Sequence, residues 1–95
     1  MTTVLRIEHP VADFDAWKRA FDSDPVRRAE GGVRSYRVMR PYDDPDYAMI
    51  DLEFDSAEQA ESFLVGLRVL WGRVDVIRDP TARVTEVIDT KQLAS

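Results

Sequence analysis

Three features of this sequence predict an α+β chain in the order strand, helix, strand, strand, helix, strand. Four short runs are rich in strand-forming residues, two stretches carry apolar residues at helical spacing, and turn or capping residues separate them. A strand-helix-strand crossover is almost always right-handed. Two such units therefore interleave into one four-stranded antiparallel sheet of order 4-1-3-2 with both helices on one face, the ferredoxin-like βαββαβ arrangement.

Thr3 to His9 alternates loosely in aliphatic and β-branched residues and reads as the first strand. After His9-Pro10 the period changes. Phe14, Trp17 and Phe21 recur at helical spacing, and Asp13 stands where an N-cap belongs, so the first helix is expected to begin near Phe14. Ser23-Asp24-Pro25 interrupts it, because proline disfavours helical backbone in the residue before it but suits a first helical position. A short second helical piece is expected to run to Glu30 and to end at Gly31-Gly32.

Val33 to Arg40 and Tyr47 to Phe54 are strand-like runs joined by the turn-forming stretch Pro41 to Asp46, which predicts a hairpin. Ser56, followed three residues later by Gln59, has the pattern of a capping box. Ala60, Phe63, Leu64, Leu67, Leu70 and Trp71 then mark one face of a helix. Gly72 weakens that helix, and Arg73 to Pro80 is compatible with a short helix or an irregular connection. Arg83 to Ile88 reads as the last strand, ahead of a polar tail.

Composition narrows the function classes. At 95 residues the chain has room for one core, so residues 1–95 are expected to form a single domain. A domain of this size gains from further burial, such as a dimer interface. Cysteine is absent, which removes disulfides, thiolate metal ligands and cysteine nucleophiles together. The opening Met-Thr-Thr-Val-Leu-Arg has no basic leader ahead of an apolar stretch, and no apolar run approaches the ~20 residues of a spanning helix. The chain reads as cytoplasmic. A net charge of -5, with 13 basic residues interleaved among 18 acidic ones, argues against nucleic acid and against a membrane surface.

Alternation assigns the sheet faces. Ala48, Ile50, Leu52 and Phe54 belong with Leu5 and Ile7 against the helices, whereas Val4, Arg6, Glu8, Tyr47, Met49, Asp51 and Glu53 share the open face. In the last strand Val84, Glu86 and Ile88 oppose Arg83, Thr85 and Val87. Opposite charges on neighbouring strands stabilise a sheet, so Arg6 is expected to pair with Asp51 or Glu53, or with their copies in a dimer. The strand register at 33–40 leaves open whether Arg34 or Arg37 joins them.

Several segments resemble the dimeric α/β-barrel proteins of the antibiotic biosynthesis monooxygenase-like superfamily. They are Gly32 to Val38, the Asp43-Asp44-Pro45 turn, Leu52 to Ala60 and Arg83 to Val87. The resemblance extends from Val4 to Asp89 and implies a homodimer in which two sheets face each other. The superfamily includes cofactor-independent monooxygenases of polyketide quinones, haem-degrading enzymes and isomerases. The haem-degrading type places an iron-ligating histidine on the second helix, where this chain has none. The quinone monooxygenases use a Trp, Asn, Tyr and Arg set, and this chain contains no asparagine.

Topology suggests one end of the sheet as a site, where His9, Trp17, Tyr42, Tyr47 and Trp71 are expected to converge around a mouth between helices and sheet, with residues 72–82 as a lid. His9, Trp71 and Tyr42 are the candidates for chemistry, His9 as an acid or base near neutral pH. Trp17 and Tyr47 are candidates for ligand contact. Each has a structural alternative: Trp17 and Trp71 continue apolar helix stripes, Tyr42 adjoins a turn, and His9 ends a strand. No cofactor is expected, and no metal. One histidine builds no polyhistidine site, and Asp43, Asp44 and Asp46 lack the calcium-loop spacing. Glycine-rich nucleotide loops and GxSxG are missing as well. The function expected is small-molecule binding, as a cofactor-independent monooxygenase or isomerase acting on a planar or aromatic compound. The alternative is a non-enzymatic ligand-binding or assembly module. An open cavity near His9 and Trp71 would favour the first, and tight packing there the second.

Overall fold

A computed structural model describes residues 2–73 and 79–94. Strand β1 (Thr3–Pro10), helix α1 (Phe14–Asp22), strand β2 (Ser35–Met39), strand β3 (Tyr47–Phe54), helix α2 (Ala57–Trp71) and strand β4 (Thr81–Glu86) follow in that order. The four strands form one sheet, β2-β3-β1-β4, with every neighbouring pair antiparallel. This is the ferredoxin-like topology that the sequence predicts.

The core follows from the two periodicities. Leu5 and Ile7 of β1, and Ala48, Ile50, Leu52 and Phe54 of β3, are buried on one sheet face. They meet Ala60, Phe63, Leu64 and Leu67, spaced three and four apart along α2. Ser56 caps α2 by accepting the Gln59 backbone N–H at 3.2 Å. The return bond of a capping box does not form among the described residues; instead the Gln59 side chain lies over Gly32. Asp13 caps α1 in the same way, its Oδ1 accepting the Ala16 N–H at 3.2 Å.

Helix α1 behaves differently from α2. Its Phe14, Trp17 and Phe21 stripe faces inward, yet none of its residues is buried and the aromatic rings lean on the core only in part. The rings stack along the helix instead, with centroids 5.4 Å apart for Phe14 and Trp17 and 5.3 Å apart for Trp17 and Phe21.

Three elements depart from expectation. Residues 24–30 form turns rather than a helical piece, because Asp24 and Arg27 hold φ of 56° and 53°. Left-handed backbone at two non-glycine residues breaks any helical run. Strand β2 is shorter than the run from Val33 to Arg40, since the Val33 N–H goes back to the Arg28 carbonyl at 3.0 Å instead of into the sheet. Strand β4 lies two residues earlier than expected and leaves Ile88 exposed. Its inward positions are Ala82 and Val84, opposite Ile7 and Leu5. Of the expected lid, residues 72–82, positions 74–78 lie outside the described residues, and Thr81 and Ala82 belong to β4 rather than to a lid.

The open face carries a charged row straight across the sheet: Arg37, Asp51, Arg6 and Arg83 are in register on β2, β3, β1 and β4. Arg6 grips Asp51 with both arms, Nε to Oδ1 at 2.8 Å and one terminal nitrogen to Oδ2 at 2.9 Å. Arg37 approaches the same carboxylate at 3.5 Å. The hydrogen bonds from Arg6 hold Asp51 below the usual carboxylate range. Arg34 lies outside this row and pairs with Asp55 at 2.9 Å.

Candidate functional site

Because α1 rests beside the core instead of sinking into it, a cavity of about 370 Å³ remains between α1, the sheet and α2. Ile7, Ile50 and Leu52 form its floor, α2 contributes Leu67 and Trp71, and Trp17 and Phe21 form the wall on the α1 side. Among the described residues, three with ionisable side chains line it: His9, Asp13 and Arg28. The volume falls within the roughly 300–1,000 Å³ typical of small-molecule sites.

His9 is placed by strand alternation. It continues the Leu5, Ile7 face of β1, which turns the imidazole toward the cavity and leaves it 2% exposed. Its Nδ1 lies 3.0 Å from the Pro10 carbonyl. A carbonyl only accepts, so in the neutral ring Nδ1 bears the hydrogen and Nε2 holds the lone pair. Among the described residues Nε2 has no partner. Burial pushes the imidazole below its ordinary pKa, outweighing the Pro10 bond that favours the charged form. The edge of the pair His9–Trp17, with centroids 5.7 Å apart and planes 69° off parallel, fixes the ring against α1. The arrangement is a desolvated, neutral base at the wall of an apolar space.

Arg28 sits by the C-terminal end of α1. One terminal N–H donates to the Phe21 carbonyl at 2.7 Å, and the guanidinium carbon lies 3.9 Å from the Phe21 ring centroid. Nothing in the sequence singled it out, because it lies in a charged stretch read as a solvated helical piece.

Of the five residues expected to converge, three do so. His9, Trp17 and Trp71 all line the cavity. Tyr42 does not: it stands fully exposed (101%) in the β2–β3 turn, where no apolar surface draws it inward. Tyr47 does not either. Alternation along β3 sends it to the open sheet face, where its hydroxyl donates to Glu8 Oε1 at 3.1 Å. Burial, and then that carboxylate, hold the Tyr47 phenol above its ordinary pKa. The sequence already carried this signal, since Tyr47 shares its face with Met49 and Asp51. Among the described residues no cluster of metal-ligating side chains occurs, and no helix is long and apolar enough to cross a membrane.

No protein-family model matches the chain, and no curated protein matches it. Solved structures do. A cofactor-independent oxygenase, SnoaB from Streptomyces nogalater, superposes with a TM-score of 0.72 at 10% identity, covering 94% of each chain. A candidate antibiotic biosynthesis monooxygenase from Nitrosomonas europaea gives 0.71 at 12% identity, over 92% of this chain and 90% of that one. A dimeric ferredoxin-like protein from an uncultured marine organism gives 0.71 at 11% identity, over 95% and 98%. At these identities the likeness is one of fold alone, and the fold that this chain shares with them is the ferredoxin-like one.

Proposed function

We propose that the cavity binds a planar, largely apolar small molecule and that the Nε2 of His9 takes a proton from it, making the chain a cofactor-independent monooxygenase or isomerase. The observation that carries this reading is the open volume itself, bounded by aromatic rings and holding one neutral imidazole whose lone pair has no partner among the described residues. Trp17 and Trp71 would bracket a flat ligand. Removing a proton from an acidified C–H or O–H gives an electron-rich anion, and burial, by lowering the His9 pKa, keeps the ring in the unprotonated form that can accept that proton. In the oxygenase form the substrate supplies all the electrons. A CH₂ becomes C=O, one dioxygen atom enters the carbonyl, the other leaves as water, and no external reductant is consumed. In the isomerase form the proton returns to another atom of the same anion.

The chain is further proposed to form a homodimer through the open sheet face. Val4, Met39, Met49 and Tyr47 are half-buried there around the Arg6–Asp51 pair, and the fold recurs in proteins described as dimeric.

A tricyclic anthrone tests the reading. Added to the protein, it should raise the melting temperature, quench tryptophan fluorescence and consume dioxygen. His9→Asn, whose side-chain amide N–H replaces Nδ1–H toward Pro10, should bind the anthrone within a few-fold of wild type and lose about 100-fold in turnover. Binding without dioxygen uptake or isomerisation would favour the non-enzymatic ligand-binding module. Absence of binding by all such flat compounds would overturn the proposal.

A further inference from the structure

The cavity has two chemically different ends. At one, His9 and the α1 cap Asp13 line the wall; at the other, beside the last turn of α1, stands Arg28. The guanidinium is only 11% exposed along its side chain. It has five N–H donors, of which the Phe21 carbonyl takes one at 2.7 Å. Its nearest acid, Asp24, stays at 3.6 Å, too far for a hydrogen bond, and uses its Oδ1 to accept the Arg28 backbone N–H at 2.9 Å. No other acceptor for the guanidinium is found among the described residues. The rings of Phe21 and Tyr36, at 3.9 and 4.9 Å from the guanidinium carbon, hold its plane in place without taking up those donors. A pre-positioned, largely desolvated fork with spare donors on the wall of an apolar cavity is the arrangement that recognises a carboxylate.

We infer that Arg28 binds an anionic group of the ligand, and that the cavity therefore takes a planar aromatic carboxylate lying along α1. The acid group sits at Arg28, and the ring system extends past Phe21 and Trp17 toward His9. Asp13 reinforces this polarity, since its carboxylate repels an anion placed at the opposite end. The neutral state of His9 fits as well, because among the described residues the only fixed positive charge lining the cavity is then at the Arg28 end. This inference rests on the cavity being the ligand site, as proposed above, and adds the substrate class and the residue that selects it.

The test compares anthracene-2-carboxylate with its neutral isostere, anthracene-2-carboxamide, by calorimetric titration. Wild type should bind the carboxylate at least tenfold more tightly than the carboxamide, and the preference should weaken at high salt. Arg28→Met keeps the apolar stem against Phe21; it should leave carboxamide affinity within about twofold and abolish the preference. Arg28→Lys should restore part of it. Equal affinity of both compounds for wild type would overturn the role of Arg28 while leaving the cavity as a site. So would an Arg28→Met variant that loses both equally, since that marks a purely structural residue. If wild type binds the anthrone but neither of these two compounds, this inference fails alone; if it binds none of the three, the cavity reading fails with it. Should Arg28→Met not fold, the wild-type comparison and the salt dependence still decide the matter.

Discussion

His9 is the one histidine of the chain, so its titration is free of overlap with any other imidazole. Burial depresses its pKa, which means that the unfolded chain binds the proton more readily than the folded one. The stability His9 contributes is therefore present above the ordinary imidazole value near 6.5 and is lost as pH falls through the lowered folded value. Proton NMR of its ring should give a midpoint below that ordinary value. Unfolding in urea should show stability declining from pH 7 to pH 5, and His9→Asn should flatten that decline. A midpoint at or above the ordinary value would mean the imidazole is solvated, and would remove the argument for a neutral base. The sequence located His9 because a strand end and a period-two face are both visible in it. It also placed Trp17 and Trp71 by helical spacing. It misplaced Tyr42, whose turn has no periodicity to orient a side chain, and it passed over Arg28, whose position depends on left-handed residues that leave no compositional trace.

At the scale of elements, two glycines separate what a side chain would add from what it would disturb. Gly66 lies within α2, and a Cβ built there meets nothing within 4 Å. Gly66→Ala should stabilise the chain by about 0.8–1 kcal/mol, the ordinary difference in helix propensity. Gly31, in the connection between α1 and β2, lies under the buried ring of Phe63, and a Cβ there would fall 2.5 Å from a ring carbon. Phe63 is itself packed on Phe54, with centroids 5.5 Å apart. Gly31→Ala should therefore cost about 1–3 kcal/mol as overpacking. Denaturant midpoints of the two variants should move in opposite directions; equal shifts would contradict the packing described. β3 was readable with its true bounds because a turn-forming stretch precedes it and Ala48, Ile50, Leu52 and Phe54 recur at every second position, all buried. The connection holding Gly31 was not, because proline and glycine announce a turn but not its course. The ends of β2 and β4 were likewise set by which backbone groups find partners across the sheet, information that resides in the partner strand.

For the whole molecule, the charged row across the open face links stability to association. The Arg6 side chain is 45% exposed and that of Asp51 11%, and Arg37 stays beside the carboxylate when Arg6 is removed. In the isolated chain Arg6→Ala should therefore cost only about 1 kcal/mol, in keeping with a solvent-screened pair. If a second sheet covers the row, as the proposed homodimer requires, the same variant should cost about 3 to 5 kcal/mol. Urea unfolding of wild type and variant at dilute and at high protein concentration, alongside sedimentation, separates the two cases. A concentration-independent loss near 1 kcal/mol in a sedimenting monomer would end the dimer proposal. The sheet order and the face pattern behind this prediction were legible from alternation alone. The cavity was not, because it arises from the distance between α1 and the sheet, and an inward-facing aromatic stripe states a direction without a depth. That distance makes α1 a soft spot. A helix laid over a hollow opens locally at little free-energy cost, so its amide protons should exchange with solvent well before those of α2. Whatever fills the hollow would lend α1 the core it lacks, and occupancy would register as slowed exchange along those nine residues.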